Sequence, residues 1–134
     1  MSLFDQTLVK VSLAPLAVVD GTDNGIAVDR AVNGGMQDAM LVVTTGAVTD
    51  GSHAVSVEDS ADGTTDWTAV AAAQLQGSLP TVVAANDSAV FEVGIRSTRR
   101  FLRAVIVTTG ATTGGIIGAH FALNAPRNSP VSRA

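Results

Sequence analysis

Short valine-rich runs, each closed off by a cluster of Gly, Asp, Asn or Thr, recur along this chain at close spacing. That pattern leaves room for strands and almost none for long helices, and it reads as an all-β sandwich or barrel. The predicted strands are Thr7–Val19, Gly25–Ala31, Ala39–Thr45, Ser52–Asp59, Ala89–Ile95, Phe101–Thr108 and Ile116–Leu123, with a short eighth around Trp67. Alternation supports them: in VFEVGIR, Phe91, Val93 and Ile95 share one face, and Val90, Glu92 and Arg96 the other. In HAVSVED, Val55 and Val57 oppose Ser56 and Glu58. LRAVIVT is apolar on both faces from Ala104 to Val107, which calls for a central strand or one covered by another subunit. Pro15 cannot donate to a ladder, so its strand is an edge or is broken there. Only TAVAAAQLQ, residues 68–76, has the alanine-rich composition of a short helical segment, ended by Gly77 and Pro80. The expected fold is an antiparallel β-sandwich, jelly-roll-like, of about eight strands.

The phrase LVVTTGAVTDG (Leu41–Gly51) returns 64 positions later as VIVTTGATTGG (Val105–Gly115). Each copy reads as a Val-rich strand entering a turn, with Gly46 and Gly110 supplying positive φ. The two copies are expected at one end of the sandwich. A glycine-rich phosphate loop is excluded, because neither copy fits a nucleotide-binding fingerprint and no helix follows.

At 134 residues the chain suits one domain, and its size allows a core without metal or disulfide staples. There is no cysteine, hence no disulfide, thiolate nucleophile or zinc ribbon. No basic and apolar leader opens the chain, and no apolar run approaches the ~20 residues that span a bilayer. Residues 1–124 form the expected sandwich domain, with 1–6 a short N-terminal arm. Residues 125–134 (APRNSPVSRA), with two prolines and no periodicity, read as an extended C-terminal tail, disordered or ordering on a partner.

The net charge of −4 hides an asymmetry. All twelve acids lie at or before Glu92, against only Lys10 and Arg30 in that stretch, whereas six arginines and no acid follow. Either the basic end is steered to an acidic partner, or acidic and basic strands lie side by side and compensate. The candidate partner-binding residues are Arg96, Arg99, Arg100, Arg103, Pro126, Arg127 and Pro130.

Tests for chemistry come out bland. DSADGTTD (Asp59–Asp66) is the best metal candidate, but it lacks EF-hand spacing, with Val70 where a bidentate Glu belongs, and a plain Asx-type turn explains it. Asp20–Gly25 reads as another turn. His53 and His120 are the only imidazoles, with no nucleophile in a suitable context, and read as structural or surface residues. RSTRRFLR could contact phosphate, but an acidic chain with few aromatics argues against direct nucleic-acid binding. Trp67 reads as a plug at one end of the core, or alternatively as a platform for a sugar ring. No catalytic residue, cofactor site or metal site is expected, so the chain is not read as an enzyme.

Three features together resemble the small structural proteins of tailed bacteriophages. They are the Asp62-Gly63…Trp67 hairpin, the Gly94…Arg100-Phe101-Leu102-Arg103 strand, and the Pro126-Arg127-Asn128-Ser129-Pro130 tail. The resemblance spans nearly the whole chain and includes no catalytic motif. It implies a capsid decoration or cement protein that binds the major capsid protein and stabilises the head. It also implies a homo-oligomer, with a trimer favoured, located on the virion surface after assembly in the host bacterial cytoplasm. A head–tail joining or tail structural protein, or a virion-displayed glycan-binding module, remain as alternatives.

Overall fold

The computed structural model describes residues 2–133. A four-residue helix, α1 (Leu3–Gln6), precedes eleven strands. These are β1 (Leu8–Val18), β2 (Gly21–Asn24), β3 (Val28–Asp29), β4 (Met36–Val48), β5 (Ser52–Ser60), β6 (Thr68–Ala69), β7 (Leu75–Gln76), β8 (Thr81–Val82), β9 (Val90–Ile95), β10 (Phe101–Thr109) and β11 (Gly115–Pro126). All pairings are antiparallel. One sheet runs β1-β11-β4-β9-β7; in the other, β10 lies between β2 and β3 on one side and β5 on the other, with β6 and β8 beyond β5. With each split edge taken as one position and β7 set aside, the strands order as 1-8-3-6 over 2-7-4-5, the arrangement of a jelly roll. The all-β sandwich read from the alternation is the fold.

The core lies between the sheets. Leu41 and Val43 of β4, Val93 of β9, Val57 of β5, Leu102 and Ile106 of β10, and Ile117, Phe121 and Leu123 of β11 are almost wholly buried. Burying each such side chain contributes about 1.5–3 kcal/mol before ordering costs. Phe91, Val93 and Ile95 do share the inner face, as do Val55 and Val57. β10 is central in its sheet, but its apolar run is not buried on both faces throughout: on the outer face Val105 is buried while Val107 is exposed. β1 is an edge strand, and its register shifts on either side of Leu13, with Leu16 the next paired residue beyond Pro15. At that irregularity the buried Ser12 hydroxyl donates to Ile26 O (2.9 Å) and accepts from Ala104 N (3.0 Å), tying β1 to β10.

Both copies of the repeated phrase lie at one end of the sandwich. They are arches between sheets: β4 leads into β5, and β10 into β11. Exchanging β4 with β10 and β5 with β11 maps the β4·β11 pairing onto β10·β5, with the register offset by one. The arches clasp each other. The Asp50 carboxylate accepts from the backbone N–H groups of Thr112 (3.1 Å), Thr113 (3.1 Å) and Gly114 (2.7 Å). These bonds, Gly114 foremost, hold its carboxyl below the usual range. His53 is fully buried beneath; its Nε2–H donates to Asp50 O (3.0 Å), leaving Nδ1 to accept from the Thr108 hydroxyl (2.8 Å).

Several expectations require correction. Gly46 lies inside β4; the turn glycines with positive φ are Gly51 (+92°), Gly110 (+67°) and Gly114 (+81°). Asp20–Gly25 is not a turn, because Gly21–Asn24 pairs with β10 as an edge strand. The helical segment expected near 68–76 is one 3₁₀ turn, Ala72–Gln74, between β6 and β7, since cross-strand bonds from Val70 and Arg96 outweigh alanine's helix preference. The short α-helix is at the other end, α1, closed by a capping box between Ser2 and Asp5.

The largest correction concerns the tail expected over 125–134, of which Ala134 lies outside the described residues, as does Met1 of the expected arm. β11 continues to Pro126, opposite Met36. Beyond it Arg127 N donates to Gly35 O (3.0 Å), Asn128 N to Gly34 O (3.0 Å), Val131 N to Asp5 O (2.9 Å) and Ser132 N to Asn33 O (3.2 Å). Val131 belongs to the core at 6% exposure. The N-terminal helix joins the clasp, with the Arg133 guanidinium 3.7 Å from the centre of the Phe4 ring. Among the described residues no helix is long and apolar enough to cross a membrane.

Candidate functional site: an arginine-lined cleft

The antiparallel pairing of β10 with β3 and β5 places basic residues opposite acidic ones. Phe101 sits opposite Asp29 and Ser60, Leu102 opposite Asp59, and Arg103 opposite Glu58. Arg100 holds Asp29 in a two-point fork, Nε–Oδ1 2.8 Å and Nη2–Oδ2 2.8 Å. That bond keeps the Asp29 carboxyl below its ordinary range and raises Arg100. Arg99 reaches Asp59 (3.3 Å) and Asp66, with Asp66 the stronger influence on its raised pKa. Arg103 places Nε and Nη2 on Glu58 Oε1 at 2.8 and 2.6 Å. Three of the six arginines that follow Glu92 are therefore answered by acids brought beside them in the fold.

Four arginines nevertheless meet at the chain-terminal end of the sandwich. Arg30, Arg99, Arg100 and Arg127 line a cleft of about 270 Å³, floored by Met36 and flanked by Thr98, and no carboxylate lines it. They arrive from three places in the chain. Arg30 follows β3 and is fixed by Arg30 N to Arg100 O (3.0 Å) and Met36 N to Arg30 O (2.7 Å). Arg99 and Arg100 lead into β10. Arg127 follows β11 and is carried over the cleft by its backbone bond to Gly35, whose positive φ (+69°) lets the chain turn beneath the Arg127 side chain.

Arg30 is the unusual member. It is 6% exposed, and its Nη groups donate to the carbonyls of Ser97, Arg99 and Gln37. Its Nε is buried without a hydrogen-bond partner. Burial is the main cause lowering its pKa, the Asp38 charge opposes the shift, and the Arg127 charge adds to it. Among the described residues neither Arg30 nor Arg127 forms an ion pair.

The residues singled out from sequence divide accordingly. Arg99, Arg100 and Arg127 come together in the cleft, with Pro126 at its rim against Gly34. Arg96 is exposed and lines an adjoining groove with Gln37, Asp38 and Thr98. Arg103 is elsewhere, on the outer face of the second sheet, and Pro130 is exposed beyond the cleft. Sequence reasoning missed Arg30, which sits in an acidic stretch with nothing local to mark it.

Trp67 does not plug the core. Its ring is half-buried on that outer face, with the Arg103 guanidinium covering one face at 4.3 Å from its centre. Asp62 is committed to its own turn, accepting from Thr64 N (2.9 Å), Thr65 N (2.8 Å) and the Thr65 hydroxyl (2.6 Å), with its carboxyl held far below the usual range by Thr65 first. Among the described residues no group of three His, Asp or Glu is close enough to hold a metal ion. No protein-family model matches the chain, and no curated protein matches it.

Proposed function

We propose that the chain is a structural protein of a tailed-phage virion, a decoration or cement protein that assembles as a homo-oligomer, a trimer in its favoured form, on the major capsid protein shell. One observation beyond the sequence resemblance carries the reading, namely the outer face of the β1-β11-β4-β9 sheet. In register across it stand Val9, Ala122 and Met40; then Val11, His120, Val42 and Glu92; then Thr44 and Val90; then Ala17 and Ile116. Val9, Val11, Val90 and Ile116 are each 45–63% exposed, and Glu92 is the only charged side chain in these rows. A contiguous apolar face of this kind marks a protein contact. Exposed β-branched side chains spread over a sheet face suit packing against another protein.

The test is Val42→Lys, at the centre of that face, where Glu92 opposite can receive the new charge without disturbing the fold. Light-scattering mass and sedimentation of heads mixed with purified protein are the readouts. The expected result is an oligomer that co-sediments with heads, and a folded variant that is monomeric and loses the heads. A wild-type monomer that stays in the supernatant would overturn the proposal. A ring of six or twelve subunits would instead indicate a head–tail joining protein.

A further inference from the structure

We infer that the cleft between Arg30, Arg99, Arg100 and Arg127 is a receptor for a small doubly charged oxyanion of the phosphate or sulfate class. The argument rests on which positive charges in the cleft are already answered. Arg99 has Asp59 and Asp66, and Arg100 has Asp29. Arg30 and Arg127 have no carboxylate within bonding distance, so two positive charges face one cleft unmatched. Asp38, in the adjoining groove, acts on Arg30 only at longer range.

Arg30 gives the second, independent indication. A guanidinium buried to this extent with an unpartnered Nε–H is costly, because its charge has left water without gaining a counter-charge. Three backbone carbonyls anchor it and fix its plane, but carbonyl dipoles do not neutralise it. An anion in the cleft supplies the missing charge. A dianion answers Arg30 and Arg127 together, whereas a single carboxylate leaves one of them unmatched. The geometry suits the class as well: guanidinium groups bind tetrahedral oxyanions through paired N–H donors, and Thr98 lines the same cleft. A volume of about 270 Å³ admits a phosphate or sulfate group with water. The site is independent of the virion reading and would stand if that reading failed.

The anion can be a free ion or the phosphate monoester of a larger molecule, and titration separates the two. Sodium phosphate, sodium sulfate and methyl phosphate are titrated calorimetrically into the full chain, with sodium acetate and sodium chloride at matched ionic strength as controls. Phosphate and sulfate should bind one to one and raise the melting temperature, with acetate and chloride inert. Methyl phosphate binding comparably identifies a receptor open to a phosphate monoester; exclusion of methyl phosphate identifies a receptor for the free ion. Arg127→Gln removes an exposed side chain and keeps the backbone bond to Gly35, so it should fold normally and weaken binding about tenfold or more. Arg103→Gln, outside the cleft, should leave binding unchanged. Phosphate and sulfate binding no better than chloride, or equally well to Arg127→Gln, would overturn the inference.

Discussion

Val131 is the side chain by which the docked C-terminal segment enters the core, and Val131→Ala measures how firmly it is held. The valine is 6% exposed and packs into the main core, so truncation removes two buried methyl-sized groups. At about 0.8 kcal/mol each, plus a contribution from the space left behind, the loss is about 2 kcal/mol. Backbone bonds from Arg127, Asn128, Val131 and Ser132 offset ordering of the segment only partly, since each nets about 1 kcal/mol against a similar ordering cost per residue. Burial of Val131 and the Arg133 contacts with Phe4 and Thr7 supply the rest. For a two-state chain of 134 residues, 2 kcal/mol lowers the melting temperature by about 7 °C. If the segment undocks before the sandwich unfolds, the fall is capped at its docking free energy. In that case the four amides named above lose hydrogen-exchange protection in the variant while β4 and β11 keep theirs. Calorimetric melting and amide exchange together separate the two regimes. An unchanged melting temperature, with those amides unprotected even in the parent protein, would refute the docked segment. It also follows that removing residues 125–134 damages the sandwich, so a truncation cannot serve as a clean test of shell binding.

Two further predictions follow from the arches and from the carboxylates. Gly46→Ala should be nearly neutral, because its Cβ would sit 3.4 Å from Ile116 within a strand, whereas Gly51→Ala forces a Cβ to 2.7 Å from that of Ala111 at φ +92° and should cost about 1–3 kcal/mol by chemical denaturation. Equal effects at the two sites would show that Gly46 shares the turn role. Asp29, Asp50 and Asp62 all have carboxyl pKa values depressed by bonds made only in the fold, to Arg100, the Gly114 amide and Thr65 respectively. Their stabilisation is complete above the unfolded carboxyl value of about 4 and is lost as pH falls below it toward the folded values. A melting series from pH 6 to pH 2 should fall on its acid side, and Asp62→Asn should flatten that fall; an identical slope in the variant would refute the assignment.

The sandwich was legible because its signal is local. A residue's face in a strand depends on its neighbours two positions away, so Val55 and Val57, or Phe91, Val93 and Ile95, declare their side without knowledge of the fold. Legibility failed where a long-range partner sets the conformation. Gly21–Asn24 has the composition of a turn and becomes a strand only because β10 offers it a ladder. The tail residues have no periodicity, yet Gly34, Gly35 and Asp5 supply acceptors from the far end of the chain. Trp67 looked like a core residue because large aromatics usually are, and nothing in its own context announces Arg103 above it.

The cleft follows from the same division. An acidic β5 and β3 beside a basic β10 is one pairing that the charge asymmetry invites, and with that register the fates of Arg99, Arg100 and Arg103 follow. What sequence does not supply is the remainder after compensation. Arg30 stands beside Asp29, and a local reading would pair the two; the fold instead gives Asp29 to Arg100 and turns Arg30 inward among carbonyls. Arg127 lies beyond the last strand, where only the Gly34–Gly35 turn brings it over Arg30. A binding site made of uncompensated charge is a property of the whole pairing scheme, because it consists of the cations that every neighbouring acid has passed over. It therefore becomes visible only once each other arginine of the cleft has been assigned its carboxylate.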